Sequence, residues 1–182
     1  MSESGRQREL EPDGLLAFIE EEHSREQVLC NQLERIADDL LDPLDPFLTK
    51  DSVVGLRKHT RRHLVLEEVF LYPVLTKRLR EGELEPGLVA QIRGEHASDE
   101  CLAYDTADQL EKALEHGRAE NPEMLGYMLH GFFECRRRHI AWEDAVVLPL
   151  ARSRLLPNDF RAFSIEEFEE ALAGGKLRAA KH

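Results

Sequence analysis

The chain has 182 residues, enough for one domain, and no apolar run approaches the roughly 18 residues that span a bilayer. Its 24 basic and 36 acidic side chains give a formal net charge of −12, which argues against nucleic-acid binding because that needs a basic surface. The three cysteines lack a Cys-x-x-Cys spacing, which argues against a disulfide framework or a thiolate zinc site, and the polar first residues are not a signal peptide, so we expect a cytoplasmic protein.

Start and stop signals divide the chain into four long predicted helices and a short one. The long helices are expected to begin after Asp13, after Asp51, at Pro86 and at Asn121-Pro122. They are expected to end at about Leu41, Arg80, His116 and Leu155. Ser164 heads a short amphipathic segment, and no segment has the pattern of a strand. We therefore place a helical domain at residues 13–156, after a disordered N-terminus at 1–12 and before a C-terminal short helix and tail at 157–182.

Each long helix carries an apolar stripe with a seven-residue repeat, which is typical of helices that pack at about 20° to one another. Every stripe is interrupted by one histidine: His23, His63, His96 and His139. Counting about 1.5 Å per residue from each histidine to the nearest turn places all four at one level, if successive helices run in opposite directions. The sequence therefore predicts an all-α fold, an up-down-up-down antiparallel four-helix bundle with a short C-terminal helical extension.

The second half of the chain repeats the first. The segment RRHLVLEEVFLYP, which begins at Arg61, aligns with RRHIAWEDAVVLP, which begins at Arg137, an offset of 76 residues (61 to 137). The first and third helices share a Glu-His pair at their histidines. A duplicated helical hairpin around a pseudo-twofold axis would leave two similar half-sites, which is the natural geometry for two metal ions.

The spacing of histidine and glutamate supports a metal site. Residues four apart lie on one helix face, so His63 with Glu67, and His139 with Glu143, can bind one ion or bridge two. Imidazole and carboxylate together suit iron, manganese or zinc. Four histidines and two glutamates exceed the needs of one tetrahedral zinc ion, and such a buried polar layer would be costly without a metal.

Further side chains near this layer are candidates for an additional ligand or for a hydrogen bond that supports a ligand: His59, Glu100, Glu26 and Asp144. His59 lies one turn before a stripe histidine and is equally compatible with a ligand, a supporting residue and core packing. Asp144 follows Glu143 directly and competes with it for the ligand position. Glu22 and Glu95 flank the layer, where they line either an entry path or the solvated surface.

The ordered set of motifs resembles the hemerythrin-like HHE cation-binding family. The set comprises a histidine on the first helix, the run His63-xxx-Glu67-Glu68-xx-Leu71-Tyr72-Pro73, a Glu-His pair on the third helix, and a His-xxx-Glu pair on the fourth. The resemblance covers about residues 14–155 and implies a four-helix bundle with a non-haem di-iron centre. By position, it implies the ligands His23, His63, Glu67, His96, His139 and Glu143, with both glutamates bridging the ions.

Two departures from the oxygen-carrying members of that family bear on function. Those members have a second histidine on the third helix, where this chain offers Glu100, and a histidine and an aspartate five apart on the fourth helix. Here Glu143 lies four residues after His139, and Asp144 lies five after it. The smaller number of histidines leaves either more open coordination or more carboxylate character, and both argue against stable reversible oxygen carriage.

We therefore predict a cytoplasmic di-iron protein that binds or reacts with oxygen, nitric oxide or peroxide, in oxidative or nitrosative stress. One alternative is an enzyme that consumes peroxide or nitric oxide at the same iron pair. Another is an iron-sensing or interaction module that acts through the C-terminal segment. Iron is favoured over manganese and zinc, no nucleic acid or membrane is expected as a partner, and the sequence does not indicate the redox partner.

Overall fold

A computed structural model describes residues 14–84 and 87–174, and within these ranges the chain is helical and contains no strand. Helix α1 spans Gly14–Asp38, and α3 spans Leu88–His116. Helix α2 is continuous through Pro46–Val65, the π-helical turn Leu66–Leu71, and Tyr72–Leu75. Helix α4 is continuous through Pro122–Trp142, the π-helical turn Glu143–Val147, and Leu148–Arg154. A 3-10 turn, Pro157–Ala162, leads to the short helix α5, Ile165–Ala173.

The start of α2 differs from the prediction. Asp45, and not Asp51, is the N-cap, because its side chain accepts hydrogen bonds from the backbone N–H groups of Phe47 and Leu48. Pro46 follows with its backbone already restricted to helical φ, so the helix begins six residues earlier than predicted. Asp51 lies inside α2, where it accepts a hydrogen bond from the Gln32 side chain.

The other helix ends follow local signals. Asn121 caps α4 as predicted, by accepting a hydrogen bond from the Met124 N–H, and Ser164 caps α5 by accepting one from the Glu167 N–H. Helix α3 ends where Gly117 takes a left-handed conformation with φ of 72°, which glycine adopts without steric cost. The predicted cap Asp13, the predicted start at Pro86, the N-terminus at 1–12 and the tail from residue 175 lie outside the described residues.

The four long helices contact one another in a ring, α1 with α2, α2 with α3, α3 with α4, and α4 with α1. Their apolar side chains form two buried clusters, which we call the first and the second apolar cluster. The first includes Leu16, Leu66, Ile92 and Val147, and the second includes Leu33, Leu56, Leu110 and Phe132. Along α1 and α3 the chain passes from the first cluster to the second, and along α2 and α4 in the opposite order. The four histidines lie between the two clusters.

Helix α5 completes the first cluster. Phe163 and Phe168 are buried in it, and the guanidinium of Arg62 lies 4.7 Å from the centre of the Phe168 ring. In the part of the chain that the structure describes, no helix is both long and apolar enough to cross a membrane.

The apolar stripe of α4 departs from the predicted one beyond His139. Val146 and Pro149 continue the seven-residue repeat, at seven residues after His139 and Trp142, but they are exposed, whereas Val147, Leu148 and Ala151 are buried. A π-helical turn contains one more residue than an α-helical turn, so the buried face moves forward by one position. A regular heptad pattern carries no information about such a turn.

Candidate metal centre

The six predicted ligand side chains are all buried in the layer between the two apolar clusters. Five of them, His63, Glu67, His96, His139 and Glu143, each offer one nitrogen or oxygen atom, and these atoms all lie within 4.8 Å of one another. The sixth, His23, has its Nε2 atom 3.3 Å from the Oε2 atom of Glu143. Side chains from four helices, including all six predicted ligands, therefore lie next to one another in this layer.

Glu67 and Glu143 occupy the centre of this group. The Nε2 atom of His63 lies 3.0 Å from Oε2 of Glu67 and 3.3 Å from Oε2 of Glu143, so it faces both carboxylates. His96 approaches Oε2 of Glu67 at 3.3 Å, and His139 approaches Oε1 of Glu143 at 2.9 Å. Histidines from different helices thus reach each of the two carboxylates.

Two outer carboxylates orient two of the histidines. The Nδ1 atom of His23 lies 2.7 Å from Asp144, and the Nδ1 atom of His96 lies 3.0 Å from Glu68. Asp144 and Glu68 are equivalent in the internal repeat (68 + 76 = 144), so the two contacts are related by the same pseudo-symmetry. A carboxylate on the outer nitrogen fixes the ring and strengthens the inner nitrogen as a donor. Asp144 therefore supports His23, while Glu143 points inward.

Both central glutamates lie on π-helical turns that end just before a proline. The N–H of Tyr72 bonds to the carbonyl of Glu67, and the N–H of Leu148 bonds to the carbonyl of Glu143, each five residues back. Proline follows each of these residues, lacks an N–H group, and would crowd the carbonyl four residues back in a regular α-helix. The wider turn relieves that crowding, and π-helical turns are common at functional sites. The repeated Leu-Tyr-Pro and Val-Leu-Pro sequences thus set the position of the glutamates.

Tyr72 also belongs to the site, although the sequence analysis assigned no role to it. Its hydroxyl is buried and donates a hydrogen bond of 2.8 Å to Oε1 of Glu143. Burial, together with the nearby carboxylates, raises the pKa of Tyr72 above its ordinary range, so the hydroxyl keeps its proton. The equivalent position in the second half is Leu148 (72 + 76), which cannot donate to Glu67. The replacement of Tyr72 by Leu148 within an otherwise matching repeat is the sequence feature that could have pointed to Tyr72.

Arg136 is the second residue that sequence reasoning missed. It is buried, and its Nε donates a hydrogen bond of 2.7 Å to Oε2 of Glu26. The same oxygen of Glu26 lies 3.3 Å from Nδ1 of His63, so Glu26 is a supporting residue, one of the roles considered for it. Arg136 lies four residues after Phe132 and three before His139, a spacing that places it on the inner face of α4.

The remaining candidates lie outside the group. His59 is partly exposed, with its Nδ1 atom 3.7 Å from Glu22, and Glu100 accepts a hydrogen bond of 3.0 Å from Arg61. Neither contributes an atom to the five-residue cluster within the described part of the chain. Glu22 is fully buried and pairs with Arg62 at 3.1 Å, so it does not line an opening to solvent.

The electrostatics of the group favour ionised carboxylates. Burial alone would raise the pKa of Glu67 and of Glu143, but the facing histidines lower both values overall. Burial alone would lower the pKa of His63 and of His139, but the nearby carboxylates raise them to about 10 and about 9. Without a metal, the buried glutamates are thus balanced by protonated histidines.

The donor set fits a metal ion. Among the described residues, both carboxylate oxygens of Glu67, Oε2 of Glu143, and Nε2 of His23 and of His63 are buried without a hydrogen-bond partner. Unpartnered buried polar atoms are costly, and five at one place require an explanation. Coordination to cations would satisfy them, and imidazole with carboxylate is a donor set that iron, manganese and zinc accept.

A cleft between α3 and α4 reaches this group from the surface. Its volume is about 650 Å³, and its lining includes Ile92, Glu95, Asp99, Cys135, His139 and Trp142. The side chain of His139 is 7% exposed, more than that of any other predicted ligand, so the cleft meets the site at His139. Glu95 therefore lines an approach to the site, one of the two roles considered for it.

The fold and the site together define a helical protein with a buried histidine–carboxylate group of the kind that binds metal ions. The family model of the hemerythrin HHE cation-binding domain matches residues 14–151. This match covers most of the chain, and the chain belongs to the hemerythrin HHE cation-binding family, as the motifs indicated. Comparisons with curated proteins and with solved structures gave no match.

Proposed function

We propose that this protein is a non-haem di-iron protein that binds or reacts with a small ligand, namely oxygen, nitric oxide or peroxide. The observation that carries the proposal is the convergence of six buried histidine and glutamate side chains from four helices. Several of their inner atoms have no hydrogen-bond partner among the residues that the structure describes. Two ions suit this set because the internal repeat divides the six ligands between two related half-sites.

The ligands would be His23, His63, Glu67, His96, His139 and Glu143, with the two glutamates shared between the ions. Iron, when bound, supplies an open coordination position and the electrons for redox chemistry. The chain supplies the rest. Asp144 and Glu68 orient their histidines, Tyr72 holds one oxygen of Glu143, and the two apolar clusters exclude bulk water. The cleft at His139 admits a small ligand from solvent.

A second candidate is an enzyme that consumes peroxide or nitric oxide at the same site. The observation that favours it is the Tyr72 hydroxyl, a buried hydrogen-bond donor to a proposed ligand. Reduction of either small molecule places negative charge at the site, and a hydrogen-bond donor held in a buried region stabilises such charge. The predicted compartment for both candidates is the cytoplasm, and the predicted setting is oxidative or nitrosative stress.

Metal analysis of the purified, iron-reconstituted protein tests the proposal. We expect about two iron ions per chain and absorption bands that bleach on anaerobic reduction and return in air. Replacing His63 and His139 together by alanine should abolish iron binding. The matched control replaces His116 and His130, which have the same spacing to a glutamate but hydrogen-bond to backbone carbonyls at the surface. Unchanged iron content in the His63/His139 variant would contradict the proposal.

Turnover separates the two candidates. The iron-loaded protein is mixed with peroxide, or anaerobically with nitric oxide and a reductant, and loss of the small molecule is followed over time. Repeated consumption supports the enzyme, whereas a stable ligand-bound spectrum without consumption supports binding.

A further inference from the structure

Arg136 is a buried cation beside the proposed metal centre, and it breaks the internal symmetry of the chain. Its side chain is 1% exposed, and the equivalent residue of the first half is Thr60 (60 + 76 = 136), which is also buried. Two guanidinium nitrogens, Nη1 and Nη2, have no hydrogen-bond partner within the described residues. A buried positive charge next to a cation-binding site is costly, so we expect negatively charged side chains close to Arg136.

The compensation comes from two carboxylates on α1 and α3. The Nε of Arg136 donates to Oε2 of Glu26 at 2.7 Å, and Nη1 lies 3.7 Å from Oδ2 of Asp99. Glu26 lies three residues after His23, and Asp99 lies three residues after His96, so the two carboxylates are themselves equivalent positions. The arginine lies closer to Glu26, which makes the two halves of the site electrostatically different.

Glu26 connects this arginine to the proposed ligand set. The oxygen that accepts the hydrogen bond from Arg136 also lies 3.3 Å from Nδ1 of His63. A carboxylate at that nitrogen strengthens the inner nitrogen of the imidazole as a metal donor. The guanidinium of Arg136, hydrogen-bonded to the same oxygen, weakens this effect on His63, because it neutralises part of the negative charge of the carboxylate.

The charge of Arg136 is permanent. Burial by itself would lower its pKa, but Glu26 and the nearby Glu143 raise it overall, so the guanidinium does not lose its proton. In a buried region of low effective dielectric, a fixed charge acts on its neighbours far more strongly than at the surface.

We propose that the Glu26–Arg136 pair sets the reduction potential of the metal centre, acting through His63. This inference rests on the proposed function, since it needs redox-active iron at the site. Arg136 raises the potential, because a nearby cation favours the reduced ions with their lower positive charge. Glu26 lowers the potential, because its carboxylate strengthens His63 as a donor and favours the oxidised ions. Both are positioning residues, since neither is a proposed ligand.

Four variants test this by a redox titration of the iron-loaded protein, followed by its absorption spectrum. Arg136→Met should lower the potential, and Glu26→Gln should raise it. The double variant, which removes both charges, should return towards the wild-type value, and Arg136→Lys, which keeps the charge, should stay close to it. A purely structural role would move the single variants in the same direction.

The chain offers a matched surface control. Arg137 follows Arg136 and pairs with Glu34 at 2.6 Å, where both side chains are about a third or more exposed. Arg137→Met and Glu34→Gln should leave the potential unchanged, because solvent screens an exposed charge. If Arg136→Met does not fold, the double variant supplies the comparison, and its potential should lie below that of Glu26→Gln.

Iron content, measured for every variant, keeps the outcomes distinct. A wild-type protein without iron overturns the proposed function and this inference together. Iron-loaded variants whose potentials shift in the same direction, or do not shift, overturn this inference alone. A lower potential for Arg136→Met together with a higher potential for Glu26→Gln supports it, and the reverse pair of shifts also overturns it.

Discussion

At the scale of single residues, the site is a repeated set of contacts with two exceptions. The pairs His23–Asp144 and His96–Glu68 are equivalent, and so are the two inward glutamates. Tyr72 and Arg136 have no equivalent, because Leu148 and Thr60 occupy the matching positions. The two halves therefore offer similar ligands in different surroundings, and the differences are the places where substitutions are informative.

Tyr72→Phe tests the hydrogen bond to Glu143. The variant should still bind about two metal ions, with an affinity lowered by about 10- to 100-fold, because the carboxylate loses the group that orients it. A competition titration against a chelator measures this affinity. Tyr127→Phe, at a residue that is 83% exposed, is the control and should bind metal like the wild type. Equal affinity for the Tyr72 variant would show that the hydroxyl has no part in holding Glu143.

Metal binding should release protons. Burial opposes protonation of His63 and His139, but their carboxylate neighbours outweigh it and raise the pKa values to about 10 and about 9. Both rings are then protonated near neutral pH and must lose their protons to become ligands. We expect release of about two protons per chain, and a metal affinity that falls as the pH is lowered. Calorimetry in two buffers of different ionisation enthalpy measures the release, and identical heats in both would contradict it.

At the scale of elements, the π-helical turns of α2 and α4 are the local structures that position the site. Each turn begins at or next to an inward glutamate and is followed by Pro73 or Pro149. The turn moves the later part of the helix forward by one residue, which explains the exposure of Val146 and the burial of Val147. Stability of the helix is thus reduced at the place where the ligands need a particular orientation.

Replacing Pro73 and Pro149 by alanine tests this trade-off. Alanine restores an N–H and removes the ring, so the metal-free protein should gain stability, by up to about 3 kcal/mol per site. The same change should weaken metal binding, because a regular α-helix would turn Glu67 and Glu143 away from their present orientation. Urea unfolding and a metal titration measure the two effects. Pro122→Ala, at the first residue of α4, is the control, and unweakened metal binding would contradict the role of the turns.

At the scale of the whole molecule, two apolar clusters enclose a polar layer, which a cleft between α3 and α4 connects to solvent. The clusters lie on either side of the histidines along every long helix, which keeps the layer away from water. The cleft between α3 and α4 meets the layer at His139. The apolar clusters therefore stabilise the fold, while the cleft gives a small ligand access to the polar layer.

Gly94→Phe tests the cleft as the route to the site. Gly94 lines the cleft, and a Cβ atom there would meet no atom of the described residues within 4 Å, so a larger side chain can be accommodated without strain in the helix. The variant should keep its metal and bind azide or nitric oxide more slowly, by about tenfold or more, equivalent to about 1.4 kcal/mol in the barrier. Stopped-flow spectroscopy measures the rate. Ala97→Phe, at an exposed position of the same helix outside the cleft, should bind at the wild-type rate, and equal rates for both would place the entrance elsewhere.

The family and the six residues that the structure brings together could be predicted from the sequence because the relevant signals are local. A spacing of four residues places His63 with Glu67, and His139 with Glu143, on one face whatever the rest of the fold does. The internal repeat also predicted two related halves. The start of α2 could have been found in the same way, since Asp45-Pro46 is a stronger helix start than Asp51, and there the prediction was wrong.

Other features depend on contacts between helices that are far apart along the chain. Neighbouring residues on a helix point about 100° apart, so the sequence alone left Glu143 and Asp144 as competing candidates. Only the position of α1 beside α4 decides that Asp144 meets His23 while Glu143 faces inward. The burial of Arg136 against Glu26 was likewise decided by packing, because a charged residue on a helix is exposed unless another helix brings it a partner. The sequence determined which residues can act together on one helix, and the tertiary structure decided which of them meet across the bundle, because those contacts depend on how each helix is rotated about its axis.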